Sequence, residues 1–321
     1  MTLLLLLLAC ATDPAPAPVA ATATAAPTGH TLTFVNHCTE TIWVGSIGNA
    51  GFDPLAGGGW EMATGATRAI VAPVGWQGRF WPRTGCTFDP TGDCSPGATP
   101  CCATGSCLES DNATFGLACA YAGIPPVSLA EPTFDAAGGL GPYDDYDISF
   151  VDGWSVPMSM VPDAGTFNPT ADPGLQAPWC LSDGCTTAPV CPDAYAVSGS
   201  PSSCWSPCQA ATNAGSADVN KLCCTCSTGT PCTCPDTCCA GQYGCSPYSV
   251  PANPDDMTCD PWNTDTARAW DATAQTYIAN VHTACPGVYA WQFDDVNGSY
   301  QCRKTDGLVN YTVTFCPASP A

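Results

Sequence analysis

The sequence predicts an all-β fold, an antiparallel β-sandwich that carries a disulfide-rich subdomain of loops and one helix. Short stretches of alternating apolar residues, separated by clusters of Gly, Pro and Asn, predict the strands. The 25 cysteines in 321 residues predict disulfides and an oxidising compartment. The 31 Gly and 32 Pro favour turns and short strands over long helices.

Six segments have the composition and alternation of strands. In the first of them Leu32 and Phe34 alternate with threonine, as expected when one face of a strand is buried. The predicted strands cover residues 31–35, 41–44, 68–71, 78–81, 147–151 and 311–315. We assign them to one sandwich, formed by residues 30–179 and 286–317.

One helix is predicted near the end of the cysteine-rich region. Thr264 or Asp265 can cap its start, and it ends before Cys285. An apolar stripe at helical spacing indicates a packing face. The stripe consists of Ala267, Trp270, Ala274, Ile278 and Val281. Residues 180–285 hold most of the cysteines and few strand-like runs, so we expect a subdomain held together by disulfides.

Residues 1–29 are predicted to be an export signal and a tether. The run MTLLLLLLAC is too short to span a bilayer and resembles the apolar part of a signal. Leu7 to Cys10 resembles a bacterial lipobox, in which the cysteine is lipidated. Removing Cys10 leaves 24 cysteines, an even number that can pair fully. We expect an extracellular or cell-surface protein, lipid-anchored to the outer membrane; the alternative is an ordinary signal cleaved near residues 20–26.

The net charge of −21, with only seven Lys and Arg, argues against a nucleic-acid partner. An acidic surface keeps an exported protein soluble, and it can also accept neutral or cationic ligands. Contact with a membrane is expected only through the lipid anchor.

No cofactor or metal is predicted. Three histidines are too few for zinc clusters, and no histidine lies near the run 223-CCTCSTGTPCTCPDTCC-239, so disulfides are favoured over zinc or copper there. A divalent ion held by Asp144, Asp145 and Asp147 is disfavoured, because neighbouring residues of a strand point to opposite faces. No Gly-x-Ser-x-Gly elbow or phosphate-binding glycine loop occurs.

The segment 81-WPRTGCTFDPTGDC-94 has three interpretations: a metal site, a catalytic loop, or a turn closed by a disulfide. With the residues before it, it resembles the strand-and-turn motif of the thaumatin-like proteins. Other motifs of that family occur in the same order: 34-FVNHC-38, 41-TIWV-44, 123-GIPPVSLAE-131, 144-DDYDISFVDGWSVPM-158, 285-CPGVYAWQFDD-295 and 308-LVNYTVTFCP-317. The resemblance implies a thaumatin-like fold over residues 30–317, in which Cys86 closes the turn and Asp89 and Asp93 shape it.

The resemblance also implies a set of disulfides. These are Cys38–Cys316, Cys86–Cys102, Cys107–Cys119, Cys180–Cys302, Cys185–Cys285, Cys191–Cys204, Cys208–Cys238 and Cys239–Cys245. Cys94 and Cys101 lie in one loop insertion and are expected to pair. Cys223 is the alternative partner of Cys208. The pairing of the remaining cysteines, Cys223, Cys224, Cys226, Cys232, Cys234 and Cys259, is left open.

By the same resemblance, an acidic cleft lies between the sandwich and the disulfide-rich subdomain. The residues implied for it are Arg79, Glu131, Asp144, Asp147 and Asp294. Asp145 and Asp295 are alternates for the aspartates, and Arg83 is a second candidate for the arginine. Asp147 and Asp152 flank a predicted strand, where they could simply form turns. Aromatic residues on or near the motif strands could add a sugar-binding face, although core packing is the favoured role for most of Trp76, Phe80, Trp81, Tyr143 and Trp154.

The cleft is expected to bind β-glucan or a related polysaccharide, and the chain is expected to be a monomer. Carboxylates that share a cleft cannot all ionise cheaply, so one pKa should rise and supply a general acid. The alternative is therefore a weak endo-β-1,3-glucanase, with Glu131 as acid and Asp147 or Asp144 as nucleophile or base. A non-catalytic interaction or antifungal module is the third class of function.

Overall fold

The computed structural model describes residues 29–94, 100–107, 116–136, 143–168, 170, 179–200, 202–223, 272–292, 294–305 and 307–317. The predicted export signal, Cys10 and the tether up to residue 28 lie outside these residues, as does most of the run after Cys223. No helix in the described part of the chain is long and apolar enough to cross a membrane.

Thirteen short strands form most of the regular structure of the described residues. In chain order they are β1 (Gly29–Asn36), β2 (Ile42–Gly48), β3 (Gly59–Met62), β4 (Thr67–Pro73), β5 (Gly78–Arg83), β6 (Leu129–Ala130), β7 (Thr133–Ala136), β8 (Tyr143–Tyr146), β9 (Ile148–Ser149), β10 (Met158–Pro162), β11 (Asp183–Gly184), β12 (Tyr300–Cys302) and β13 (Tyr311–Phe315). The predicted all-β class is confirmed.

The strands form three sheets. One five-stranded sheet has the order β11-β10-β13-β1-β4, the other has the order β3-β2-β5-β6-β9, and a three-stranded sheet has the order β12-β8-β7. The ladders are antiparallel, except that β1 and β13 run parallel with Leu32 opposite Tyr311. A parallel pair needs a long connection. Strands β1 and β13 are the first and last strands, so nearly the whole chain connects them. The alternation of apolar residues within each segment did not predict this parallel pairing.

The core lies between the two five-stranded sheets. Phe34 of β1, Phe80 of β5 and Phe315 of β13 are fully buried, and Phe34 lies 4.9 Å from Phe80 between ring centroids. Phe80 faces this core, whereas its neighbour Trp81 belongs to a second apolar cluster on the opposite face of the β5 sheet. That opposite face, called the outer face below, carries the candidate site.

Eight disulfides join described cysteines, and seven of them join pairs named from the sequence. They are Cys38–Cys316, Cys86–Cys102, Cys94–Cys101, Cys107–Cys119, Cys180–Cys302, Cys185–Cys285 and Cys191–Cys204. The predicted Cys208–Cys238 bridge is wrong, because Cys208 is bonded to Cys223. Cys238 and the predicted Cys239–Cys245 bridge lie outside the described residues.

The disulfide-rich region contains more helix than the sequence predicted. Helix α1 (Pro207–Ala214) and the single turn α2 (Val219–Leu222) precede α3 (Ala272–Ala284), and α4 (Asp295–Gly298) follows it. Short 3₁₀ turns lie at Leu55–Gly58 and Asp193–Tyr195. Because Cys208 lies in the first turn of α1 and Cys223 directly follows α2, the packing of these helices brings the two cysteines together.

Helix α3 agrees with the predicted packing face where it is described. Ala274, Ile278 and Val281 are buried, and Tyr277 is buried with them. The hydroxyl of Tyr277 donates to the carbonyl of Phe150 at 2.7 Å, which ties the helix to the sandwich. The predicted N-cap at Thr264 or Asp265 lies outside the described residues.

Candidate functional site

A cleft of about 450 Å³ opens on the outer face of the β5 sheet. Strand β5, the segment from β6 into β7 and the segment around β9 supply most of its walls. The residue after β2 and the chain after α3 supply the rest. Its lining is mostly polar and comprises Asn49, Gly78, Arg79, Leu129, Glu131, Thr133, Asp147, Ser149, Val151, Asp152, Tyr289 and Gln292.

Strand alternation places the charged side chains on this face. Phe80 and Ile148 are fully buried in the core, so Arg79 and Asp147 beside them point to the other side of the sheet. The backbone N–H of Glu131 donates to the carbonyl of Asp147 at 2.9 Å, which makes the two residues cross-strand neighbours. Cross-strand partners have Cβ atoms about 4.5–5.5 Å apart, so both carboxyl groups enter the same cleft.

Arg79 and Glu131 form an ion pair within the cleft. Nε of Arg79 lies 3.3 Å from Oε1 of Glu131, and both side chains remain partly exposed to solvent. An arginine held by one carboxylate at Nε retains further N–H donors for a ligand.

Burial raises the pKa of Glu131 above its usual range, and this effect outweighs the opposing charge of Arg79. The carboxylate of Asp152 raises it further. Burial also raises the pKa of Asp152, although this carboxylate accepts a 3.3 Å hydrogen bond from Nε2 of Gln209 and feels the charge of Arg79. One guanidinium therefore faces both carboxyl groups, and Glu131 and Asp152 hold their protons to a higher pH than free carboxylic acids do.

Asp144, predicted as a cleft residue and as a nucleophile or base, lies elsewhere. Its side chain is buried, where it accepts hydrogen bonds from the backbone N–H of Asp135 at 3.0 Å and the hydroxyl of Tyr311 at 2.8 Å. Strand β8, which carries Asp144, belongs to the three-stranded sheet, whereas Asp147 adjoins β9 of the β5 sheet. This change of sheet within three residues separates the two aspartates.

Asp144 belongs to a buried polar network with His30. Nε2 of His30 lies 2.8 Å from Asp135 and Nδ1 lies 3.5 Å from Asp144, so the ring sits between the two carboxylates. Nδ1 also lies 2.8 Å from the carbonyl of Val309. Each ring nitrogen of His30 therefore already faces a protein oxygen, and the histidine belongs to the hydrogen-bonded interior.

Asp294 is also outside the cleft. It is buried, its carboxylate accepts from the backbone N–H of Ala290 at 2.9 Å and from the amide of Asn297 at 2.7 Å, and it pairs with His282 at 2.6 Å. These contacts fix the turn that leads into α4. Asp145, the first alternate, instead accepts from the amide of Gln301 at 2.8 Å, and the side chain of Asp295 is not among those described.

Arg83, the second candidate for the cleft arginine, is fully buried away from the cleft. Its guanidinium donates to the carbonyl of Leu117 at 2.6 Å, and Nε donates to the carbonyl of Trp43 at 3.1 Å. Burial lowers its pKa to about 10, so it stays charged at neutral pH. Its role is to hold the loop after residue 115 against β2.

Asp152 is the principal cleft residue that the sequence interpretation left out of the site. Its position at the end of a strand predicts only a turn residue. Period-2 alternation through Asp147, Ser149 and Val151, all of which line the cleft, would place Asp152 on the opposite face, so the alternation gives no signal for this residue. The turn at residues 151–152 ends the alternation, and Asp152 lines the cleft as well. Of the five aromatic residues considered, Trp76, Phe80, Trp81 and Trp154 are buried and pack in the interior, and only Tyr143 is partly exposed.

The contribution of Asp144 to the stability of the protein is expected to rise as the pH falls from 7 to about 4. Burial raises the pKa of Asp144 to about 6 from its ordinary value of 3.8. Between these values the native state holds a proton that the unfolded chain has released, so acidification favours the native state. The shift corresponds to about 3 kcal/mol. Thermal unfolding of wild type and Asp144→Asn at pH 7, 6, 5 and 4 tests this. The variant should show a flatter profile, and identical profiles would contradict the account.

Comparison with known proteins gives one consistent result. The model of the Thaumatin family matches residues 36–317. The chain is 32% identical to Thaumatin-like protein 1 of Arabidopsis thaliana over 302 residues, which cover 91% of this chain and 88% of that protein. It is 33% identical to Pathogenesis-related thaumatin-like protein 3.5 of Cryptomeria japonica, covering 89% and 90%. It is 32% identical to a Glucan endo-1,3-beta-glucosidase of Prunus avium, with the same coverage.

Among solved structures, a thaumatin-like xylanase inhibitor is similar with 28% sequence identity and a TM-score of 0.30. The match covers 43% of this chain and 78% of the inhibitor.

Proposed function

The chain belongs to the thaumatin family, and we propose that it is an exported protein that binds β-glucan or a related polysaccharide in the cleft around Arg79. The observation that carries the proposal is the Arg79–Glu131 ion pair in an open, mostly polar cleft. The disulfides are typical of an extracellular protein. Its attachment to an outer membrane through a lipidated Cys10 remains part of the proposal.

The cleft offers the groups that sugar hydroxyls require. Asn49, Gln292 and Ser149 can both donate and accept hydrogen bonds, and Arg79 donates to a hydroxyl oxygen. The carboxylates accept from hydroxyl groups, and their excess over the single arginine disfavours an acidic polysaccharide. A neutral glucan therefore suits the cleft better than a uronic-acid polymer.

A weak endo-β-1,3-glucanase activity is the second candidate function. Glu131, whose pKa burial raises, would protonate the glycosidic oxygen, and Asp147 across the strand pair would act as nucleophile or as base for water. Asp152 takes the place that Asp144 was expected to fill, since it faces the same arginine and raises the pKa of Glu131. The relative from Prunus avium that is named a glucan endo-1,3-beta-glucosidase favours keeping this candidate.

Binding is expected to depend on Asp152 and not on Asp144. We expect Asp152→Asn to weaken retention on insoluble β-1,3-glucan about tenfold or more, because a hydrogen bond from a hydroxyl to a carboxylate contributes about 1.5–3 kcal/mol. Cosedimentation with β-1,3-glucan and with polygalacturonate, together with an assay of released reducing sugar, measures both candidate functions.

Asp144→Asn is the matched control, since it makes the same substitution at a buried carboxylate outside the cleft, and Glu40→Gln controls for surface charge. Retention without sugar release supports binding alone, and retention with release supports the enzyme. No retention of the wild type, or equal retention by the two aspartate variants, would contradict the proposed cleft.

A further inference from the structure

We propose a second saccharide-binding site, the aromatic pocket, at the far end of the same outer face. It is a depression of about 570 Å³ built around the turn that follows β5. Its lining comprises Trp43, Glu61, Cys86, Thr87, Phe88, Asp89, Pro90, Thr91, Gly92 and Leu117. The turn belongs to the segment 81–94, whose composition was compatible with a metal site, a catalytic loop or a stapled turn.

The aromatic pocket is separate from the cleft. In the β2–β5 ladder Ile47 lies opposite Arg79 at the cleft end, and Trp43 lies opposite Arg83 at the other end. Four residues of strand span about 13 Å. Between the two ends the indole of Trp81 covers β2 and donates from Nε1 to the carbonyl of Gly105 at 2.8 Å. This fully buried tryptophan divides the outer face into two depressions.

Two partly exposed aromatic rings give the pocket its apolar surface. Trp43 and Phe88 meet edge to face with 6.1 Å between centroids, and neither is fully buried, unlike Trp81. The guanidinium of Arg83 lies 5.4 Å from the centroid of Phe88 and holds that ring in place. The Cys86–Cys102 bridge packs behind both rings. The aromatic surface is thus fixed before a ligand arrives.

The rim of the pocket carries hydrogen-bond acceptors in a rigid turn. Oδ1 of Asp89 accepts from the backbone N–H groups of Thr91 and Asp93 at 2.9 and 3.0 Å, and from the hydroxyl of Thr91 at 2.6 Å. These bonds fix the carboxylate of Asp89 on the surface. Glu61, which lies opposite Trp43 on β3, is exposed and supplies a second carboxylate.

An uncharged hexose unit fits this combination of groups. The C–H face of a sugar ring can pack on the indole of Trp43, and its hydroxyl groups can donate to Glu61 and Asp89. No Lys or Arg is among the residues that line the pocket in the described part of the chain, so an anionic sugar would meet two uncompensated carboxylates.

Calorimetric titration with a β-1,3-linked glucose trimer tests the second site. We expect two sites per wild-type chain. Trp43→Leu should remove one site and leave the other within twofold, and Asp152→Asn should weaken the other. Because Trp43→Leu also removes packing, Glu61→Gln provides a second test at an exposed position, with an expected loss of about tenfold at the pocket. Glu40→Gln, also exposed, is the matched control and should change neither site.

The aromatic pocket does not rest on the proposed function of the cleft. The outcomes of the titration therefore test the two sites separately. One site that Asp152→Asn weakens and Trp43→Leu leaves unchanged would overturn the aromatic pocket while the cleft stands. One site that only the Trp43 and Glu61 variants weaken would support the pocket and overturn the cleft. Equal affinity of wild type, Trp43→Leu and Glu61→Gln for the trimer, or no binding at all, would overturn the pocket.

Discussion

Arg83→Leu is expected to lower the free energy of unfolding by about 3–5 kcal/mol. The guanidinium of this fully buried residue donates to the backbone carbonyls of Trp43, Val44, Gly116 and Leu117. Leucine supplies no donor, so carbonyls that the guanidinium now satisfies lose a partner in the interior. An unsatisfied buried acceptor costs about 1–3 kcal/mol, and two of the four belong to a loop without regular structure.

Denaturant unfolding without reductant measures this effect. Arg68→Leu is the matched control, because Arg68 is exposed and its guanidinium lies 5.0 Å from the centroid of the Trp60 ring. We expect the control to lose about 0.5–1 kcal/mol. A loss below about 1 kcal/mol for Arg83→Leu, or equal losses for the two variants, would contradict a role for Arg83 in holding the loop.

Any release of reducing sugar from β-1,3-glucan is expected to fall about 10²–10⁴-fold in Glu131→Gln. Glutamine keeps the size of the side chain and removes the proton that a leaving glycosidic oxygen needs. Retention on the glucan should change less than the rate, since the amide of the substituted side chain can still hydrogen-bond sugar hydroxyls.

The pH dependence provides an independent check on Glu131. Because the pKa of Glu131 is raised, the acid form persists above the pH at which free glutamate ionises, and activity should decline as the pH rises through that raised value. Glu40→Gln, which changes an exposed glutamate outside both sites, should retain the wild-type rate within a few-fold. Unchanged release in Glu131→Gln would remove the assignment of this residue as general acid.

Much of the fold could be predicted because it depends on local alternation. Leu32 and Phe34 alternate with polar residues, and they are buried on β1 as that pattern requires. Helix α1 has capping signals in its sequence. Ser206 accepts from the N–H of Gln209, Pro207 is the first helical residue, and Gly215 ends the helix in the left-handed conformation. Because α1 has only 8 residues, it shows little of the 3.6-residue apolar periodicity from which helices are predicted.

The site was predicted only in part because it depends on which sheet each strand joins. Arg79, Glu131 and Asp147 share the cleft, since strand pairing of β5, β6 and β9 brings them together. Asp144 and Asp152 lie within eight residues of each other, and no sequence period distinguishes the one that enters the three-stranded sheet from the one that faces Arg79. Sheet membership is a property of the whole chain, so spacing alone did not separate them.

A crystal structure of the chain with a β-1,3-linked glucose oligomer would show whether the cleft binds the polysaccharide. We expect a sugar unit in the cleft, with a hydroxyl oxygen within hydrogen-bond distance of the Arg79 guanidinium and another hydroxyl donating to Asp152. An oligomer bound elsewhere on the surface, with the side chains of Arg79, Glu131 and Asp152 making no contact to it, would contradict the claim that this cleft is the polysaccharide-binding site.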